Sequence, residues 1–403
     1  MTEFNKRGVA ALMAVSLVVS TGVADWPRFM GPQGDGLSPE KGLRKNWNQN
    51  PPKQLWSVDM SDRGYAGPSV AAGKVFIVDR DGDQDVVRAL DLETGKDVWT
   101  FRYDDPGKAN YGFARSTPTV DGDRLYTLSR NGHLHCLNVA DGRAIWQRNI
   151  VADFQGRLPT WQLAMSPLVD GDKLIVLPGG KKNVAALDKQ TGKTLWHGGN
   201  ADRLGYATPV PVVMNGVRQY LIFTGYSLIG VDPDAGAVLW RQEWRTRHDV
   251  NAALPVMVED GRVFISSGYG RGCALVGVSK GGETEILWEN KEVAAHFSSP
   301  VLYQGRLYAN SDPTHLVCLD PKTGAALWKQ PGFGKGGLLI ADGVIIALDG
   351  NRGDAIMVKA APEKYEELGR FKPLGGKSWT APVLADGKLI VRNERAIACF
   401  DLK

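Results

Sequence analysis

Eight near-copies of one unit run down this chain, each built around Pro-x-Val, Gly-x-Leu/Val, Ala/Cys-Leu/Val-Asp and Thr-Gly-Lys-x-x-Trp. Seven units close on a tryptophan (Trp56, Trp99, Trp146, Trp196, Trp240, Trp288 and Trp328), and the eighth has Leu368 near that place. Copies spaced by 40 to 50 residues, made of short apolar runs between turn signals, are the pattern of propeller blades. A length of 403 residues would allow two or three domains. The repeat overrides that prior, because stacked blades bury one another's faces and share one closed core.

The unit from Ser299 to Trp328 shows how a copy folds. Its runs Ser299 to Leu302, Gly305 to Ala309, Leu316 to Asp320 and Thr323 to Trp328 are bounded by Gly, Asp or Pro. They read as four antiparallel strands joined by hairpins. In the Asp-x-x-Thr-Gly turn the carboxylate accepts backbone N–H bonds and glycine supplies the positive φ. An indole recurring four residues after each such glycine reads as a packing element between blades rather than a set of binding sites.

The last unit supplies Pro382 to Asp401 and stops before any Thr-Gly or Trp, while the missing strand stands at the other end as Gln54 to Val58. The expected fold is therefore an all-β, eight-bladed β-propeller of four-stranded antiparallel blades. An N-terminal strand completes the last blade and closes the ring, which removes the exposed sheet edge.

Lys6 and Arg7, the apolar run Gly8 to Val19 and the small residues Gly22-Val23-Ala24 form a secretory leader at 1–24, with cleavage expected before Asp25. The run is short for a membrane span, and no cysteine near the cleavage site offers a lipid anchor. The expectation is a periplasmic or secreted protein with no transmembrane segment in the mature chain. Residues 25–52 are expected to form an extended strap across the ring, anchored by Trp26 and Phe29, ahead of the propeller at 53–403. The net charge of +4 is too small to imply a large nucleic-acid surface. Cys136, Cys318 and Cys399 share a repeat slot held elsewhere by Ala89, Ala186, Gly230 and Gly277, so they read as small buried apolar side chains. Cys273 falls outside that slot and reads as a loop residue; free thiols are expected throughout.

The segments Ala89 to Trp99 and Ala186 to Trp196, both Ala-Leu-Asp-x-x-Thr-Gly-Lys-x-x-Trp, resemble the PQQ-like propeller repeat over roughly residues 53–403. Two branches of that superfamily bear on function. One comprises exported pyrroloquinoline-quinone (PQQ) alcohol dehydrogenases; the other is similar to the B subunit of the outer-membrane barrel-assembly machinery, a non-catalytic periplasmic scaffold. The chain departs from the first by having no adjacent cysteines and no Cys-x-x-Cys-His, and from the second by lacking a lipobox cysteine. A fold hosts many functions, so the resemblance speaks to architecture before activity.

In a propeller, residues leading into the innermost strand of each blade meet at the axis. Three residues before each repeat proline, or its equivalent Leu338, stand Tyr65, Arg115, Ala164, Tyr206, Ala252, Phe297, Lys335 and Trp379. Asn251 and His296 lie one position earlier in adjacent blades, with His248 and Asp249 approaching. The ring suits a flat anion, whose face stacks on aromatics while Arg115 and Lys335 meet carboxylates. It would equally suit an extended peptide, or merely plug the channel mouth.

Two functional readings follow. In the first, a non-catalytic binding or scaffolding protein takes exported or envelope proteins, or a small ligand in the funnel, and needs no cofactor. In the second, a PQQ-dependent dehydrogenase with calcium stacks its quinone on Trp379 and Tyr206. Arg115 and Lys335 hold the carboxylates, Asn251 offers a metal oxygen and Asp249 is the base. An enzyme should place at least two carboxylates beside the ring. No other metal site is expected: His133 and His315 fall on opposite sides, and His133 and His135 read as a solvent-facing pair. Gly268 to Gly272 reads as a mobile hairpin, since no helix follows to make it a phosphate loop.

Overall fold

The computed structural model describes residues 24–109 and 111–403. The leader inferred for 1–24 lies, but for Ala24, outside the described residues. Eight four-stranded antiparallel sheets form the ring: blades 1 to 7 span 69–104, 119–149, 168–198, 210–243, 256–290, 301–331 and 338–371. Blade 8 takes three strands from 383–401 and its outermost from Lys53–Asp59, which pairs antiparallel with Ala396–Asp401. The ring is thus closed by main-chain hydrogen bonds between the two ends of the propeller.

The repeat tryptophans do the docking. Each of Trp56, Trp99, Trp146, Trp196 and Trp288 donates its indole N–H to a backbone carbonyl of the following blade, at 2.8 to 3.1 Å. Each ring also lies over the turn glycine of that blade. A Cβ added at Gly142, whose φ is +73°, would stand 2.7 Å from Cδ2 of Trp99. The Thr-Gly glycine therefore answers two demands, a left-handed turn and an indole laid on its Cα. Blade 4 differs, with Trp240 bonding Gln219 of its own sheet at 2.6 Å. On blade 7, which carries Leu368 at the tryptophan position, Trp47 covers Gly369 and meets Phe371 edge-on at 5.1 Å.

The segment ahead of the propeller runs through the bore, bonded to the inner strands of blades 1, 2 and 7. Trp26 exchanges two backbone bonds with Val70 on the inner strand of blade 1, and Pro27 accepts from Val120 of blade 2. After turns at Gly31 and Gly34, the chain reaches the inner strand of blade 7, where Gly36 and Ser38 bracket Ile340. It leaves between blades 7 and 8, held by Leu43 and Lys45 on Asp342 and by Glu40 on Gly387.

All four cysteines are free and buried. Cys273 is a strand residue within Gly272–Val278, not a loop residue, and burial pushes its thiol up to about 12. The two histidines of blade 2 are not a solvent-facing pair. His135 is buried and packs against the Tyr103 ring, tilted by 40° at 4.2 Å; burial, then His133, push its pKa down to about 4. Outward-facing alternation fails here because the neighbouring outer strand supplies aromatics, Phe101 and Tyr103, that cover the ring. No helix among the described residues is long and apolar enough to cross a membrane.

Candidate functional site

A cavity of about 260 Å³ opens at the end of the bore where the connections between blades gather. Its floor is the N-terminal segment, through Trp26, Phe29 and Met30. Its wall carries Tyr65, Arg115, Tyr206, Phe297, Lys335 and Trp379, the large ring residues expected from the repeat register, together with His296. Ala164 and Ala252 also face it, and their small size leaves the room. Three wall aromatics lie outside that register: Tyr111, Trp161 and Tyr269 come from loops of irregular length, so no repeat spacing pointed to them.

The wall is held by shared carbonyls. The Ala114 oxygen accepts from both Tyr65 N and Ala66 N, and the Asn251 oxygen accepts from both Tyr206 N and Ala207 N. Asp62, fully buried, accepts from Phe113 N and Ala114 N at 2.8 Å each and faces Arg392 at 3.7 Å. These bonds fix the loops that carry Tyr65 and Arg115. Hydroxyls stitch the next layer: Ser116 donates to Met165 O at 2.7 Å, and Thr117 N donates to Ser166 Oγ at 2.9 Å. Ser and Thr recur at the neck because they are small and also bridge blades.

Aromatic contacts run along one side of the wall. Tyr65 stacks on Trp379 at 5.0 Å, Trp379 meets Phe297 at 5.1 Å, and His296 packs between Phe297 and Tyr269 at 4.6 and 4.7 Å. Burial and then the hydrogen bond to Glu394 hold the Tyr65 hydroxyl well above its ordinary pKa. Burial pushes Tyr206 up to about 12; burial, then Lys335, push His296 down to about 3.

The cations differ in what they already hold. Lys335 sits 3.6 Å from Asp312 and over the faces of Trp379 and Phe297. Beside the wall, Lys377 pairs with Glu394 at 3.2 Å. Arg115 makes one bond, to Gly112 O at 3.3 Å, and its Nη1 is buried without a partner among the described residues. Trp379 Nε1, His296 Nδ1 and Ser298 Oγ are likewise buried and unpartnered.

Two residues of the expected site are not on the wall. Asn251 is fully buried with its amide spent on Thr224 O, Trp244 O and Ser267 Oγ, so it clamps the backbone beneath Tyr206. Asp249 is held by Arg203 at 3.2 Å and does not line the cavity. None of the described residues lining it is a carboxylate. The residues present therefore do not fit calcium-assisted quinone chemistry: the base and the metal oxygen assigned to it are engaged elsewhere, and a quinone tricarboxylate would find one guanidinium without an ion pair among the described residues.

The family model described as outer membrane protein assembly factor BamB matches residues 45–111 and 83–330. The assembly factor BamB of Yersinia pestis is 26% identical over 342 residues, covering 78% of this chain and 80% of that protein. Among solved structures, BamB from Moraxella catarrhalis superposes with a TM-score of 0.61 at 16% identity, over 87% of this chain and 98% of that one. Quinohemoprotein alcohol dehydrogenase from Comamonas testosteroni gives 0.68 at 15% identity, over 94% and 80%. At such identities the structural likenesses establish the shared propeller and nothing about chemistry.

Proposed function

We propose, from the premise that this chain belongs to the outer membrane protein assembly factor BamB family, that it is a non-catalytic envelope scaffold serving outer membrane protein assembly from the periplasmic side. The observation that carries this reading is the funnel itself. Among the described residues the charged side chains on its wall are the cations Arg115 and Lys335, and burial holds His296 as a neutral imidazole of low basicity and Tyr206 as a neutral phenol, states that serve proton abstraction poorly. A hydroxyl-oxidising site requires a positioned proton acceptor. A docking face requires instead rigid loops presenting aromatics, as Tyr111 and Tyr269 are presented, 50% and 44% exposed at the funnel mouth.

The test is photo-crosslinking in the native host from positions 111 and 269, with the outer membrane protein profile of a deletion strain alongside. Adducts to an outer membrane barrel or its assembly machinery, with depleted barrels in the deletion, are expected. Unchanged barrels without adducts would remove the proposal, and so would alcohol-dependent dye reduction by the purified chain loaded with PQQ and calcium.

A further inference from the structure

We infer that the funnel is a receptor pocket for a small ring-bearing monocarboxylate, held by the guanidinium of Arg115 with its ring against the Tyr65–Trp379–Phe297 aromatics. This goes beyond the scaffold reading, since docking by the surrounding loops does not require a filled pocket.

The cavity is blind. Trp26 and Met30, 2% and 3% exposed, close its lower end, so it takes a compact molecule and not a threaded chain. A volume of about 260 Å³ lies near the lower end for small-molecule sites, which suits one or two rings. Flat aromatic walls favour a ligand with a flat apolar face, whether an aromatic ring or the C–H face of a sugar. Such walls also form cages for quaternary ammonium groups. Here Lys335 lies 5.5 and 5.9 Å from the Trp379 and Phe297 ring centres and Lys377 lies 4.6 Å from that of Trp379, so cations already stand beside those rings. A cationic ligand is therefore disfavoured.

The charge count comes from what each cation already holds. Asp312 neutralises Lys335 and Glu394 neutralises Lys377. Arg115 has no ion pair among the described residues, and its Nη1 is buried without a partner. An unpaired guanidinium nitrogen out of water is costly unless something accepts from it. A planar carboxylate is the acceptor that matches its fork. One cation without an ion pair among the described residues fits one carboxylate. A tricarboxylate would leave two charges facing aromatic walls.

The mature chain is titrated by calorimetry and tryptophan fluorescence with benzoate and glucuronate, the neutral counterparts benzamide and methyl glucoside, choline, and PQQ. Saturable binding of a carboxylate but not of its neutral counterpart is expected. Benzoate against glucuronate then assigns the ligand to aromatic or to sugar acids. Arg115→Gln weakens binding roughly 10- to 100-fold, as for loss of one charge-assisted hydrogen bond. Ala252→Phe, which places a ring in the cavity and leaves Arg115 itself unchanged, abolishes binding and keeps the test decisive should Arg115→Gln fold poorly. Arg352→Gln, an exposed residue outside the cavity lining, leaves binding unchanged. The inference is overturned if neither acid saturates, if a neutral counterpart or choline binds as well as the acid, if PQQ alone binds, or if Ala252→Phe binds normally. None of these results bears on the crosslinking test of the scaffold reading.

Discussion

Replacing Gly36 by alanine adds one methyl group at the tightest point of the segment that floors the funnel. Gly36 has φ +78°, and a Cβ there would overlap Cγ2 of Val301 and stand 2.8 Å from Cε of Met30. The left-handed backbone costs an alanine about 1–2 kcal/mol. Met30 ends in a flexible thioether and can move aside. Val301 is β-branched, fully buried on the inner strand of blade 6, and must shift with its sheet. Overpacking of this kind costs about 1–3 kcal/mol, so the variant should lose roughly 2–5 kcal/mol in all. Gly42 supplies the control. Its φ is +72° and nothing lies within 4 Å of an added Cβ, so Gly42→Ala carries the backbone cost alone. Urea unfolding of the two variants, with limited proteolysis of residues 25–52, isolates the packing contribution. Gly36→Ala should unfold at lower urea than Gly42→Ala and release its N-terminal segment to protease sooner. Equal losses in the two variants would refute the argument that this segment is wedged in the bore, whatever their absolute size.

Other expected outcomes rest on separate parts of the fold. Gly142→Ala pushes a methyl into the Trp99 indole from a left-handed turn and should cost about 2–5 kcal/mol by the same sum; an urea midpoint matching the parent would argue against indole docking. Native thiols should resist Ellman's reagent and four should react in denaturant, because every cysteine is buried and burial raises Cys318 to about 11 and Cys273 to about 12; a fast-reacting thiol in the folded protein would contradict this. His135, depressed from 6.5 to about 4 by burial and then by His133, binds a proton more readily unfolded than folded. Its contribution is therefore full above about pH 6.5 and lost as pH falls toward about 4. Asp85, raised to about 6 by burial and then Asp105, works in the opposite sense, so the diagnostic is the difference between parent and His135→Phe. The acid-side slope of stability should flatten in that variant, and an identical slope would exclude His135 as a source. Asn251→Ala should cost several kcal/mol, about 1–3 for each buried group left without its partner. A loss below about 1 kcal/mol in urea unfolding would mean that water replaces the amide.

Most of the ring was readable because its demands repeat. An indole, a left-handed turn residue and a small slot for Ala, Gly or Cys are needed at the same place in nearly every blade, so one physical constraint is written into the sequence many times. The funnel was readable in part, since Tyr65, Arg115, Tyr206, Phe297, Lys335 and Trp379 follow from the same register. What stayed hidden is what occurs once. Tyr111, Trp161 and Tyr269 reach the wall from loops with no counterpart in other blades. Asn251 looked like a ligand by position, yet its amide is consumed by two carbonyls and a serine. His135 looked outward by alternation, yet two aromatics of the adjoining strand cover it.

The same contrast says where function can reside in such a chain. Positions on which the units agree are fixed by blade packing, and altering one damages the ring before it reports on any ligand. At the eight axial positions the units disagree, holding two alanines, a lysine, an arginine and four aromatics, because a closed bore asks there only for small neighbours beneath. Ala164 in blade 3 and Ala252 in blade 5 leave space that Trp161 and Tyr269 line from above, while Arg115 and Trp379 each keep a buried donor without a partner among the described residues. An eightfold scaffold thereby acquires a lopsided pocket, with the arginine that has no ion pair among the described residues on blade 2 and its aromatic contacts on blades 8, 1 and 6. That asymmetry is the reason to vary Arg115 and Ala252 when asking what the funnel holds, and to leave the tryptophans of the repeat alone.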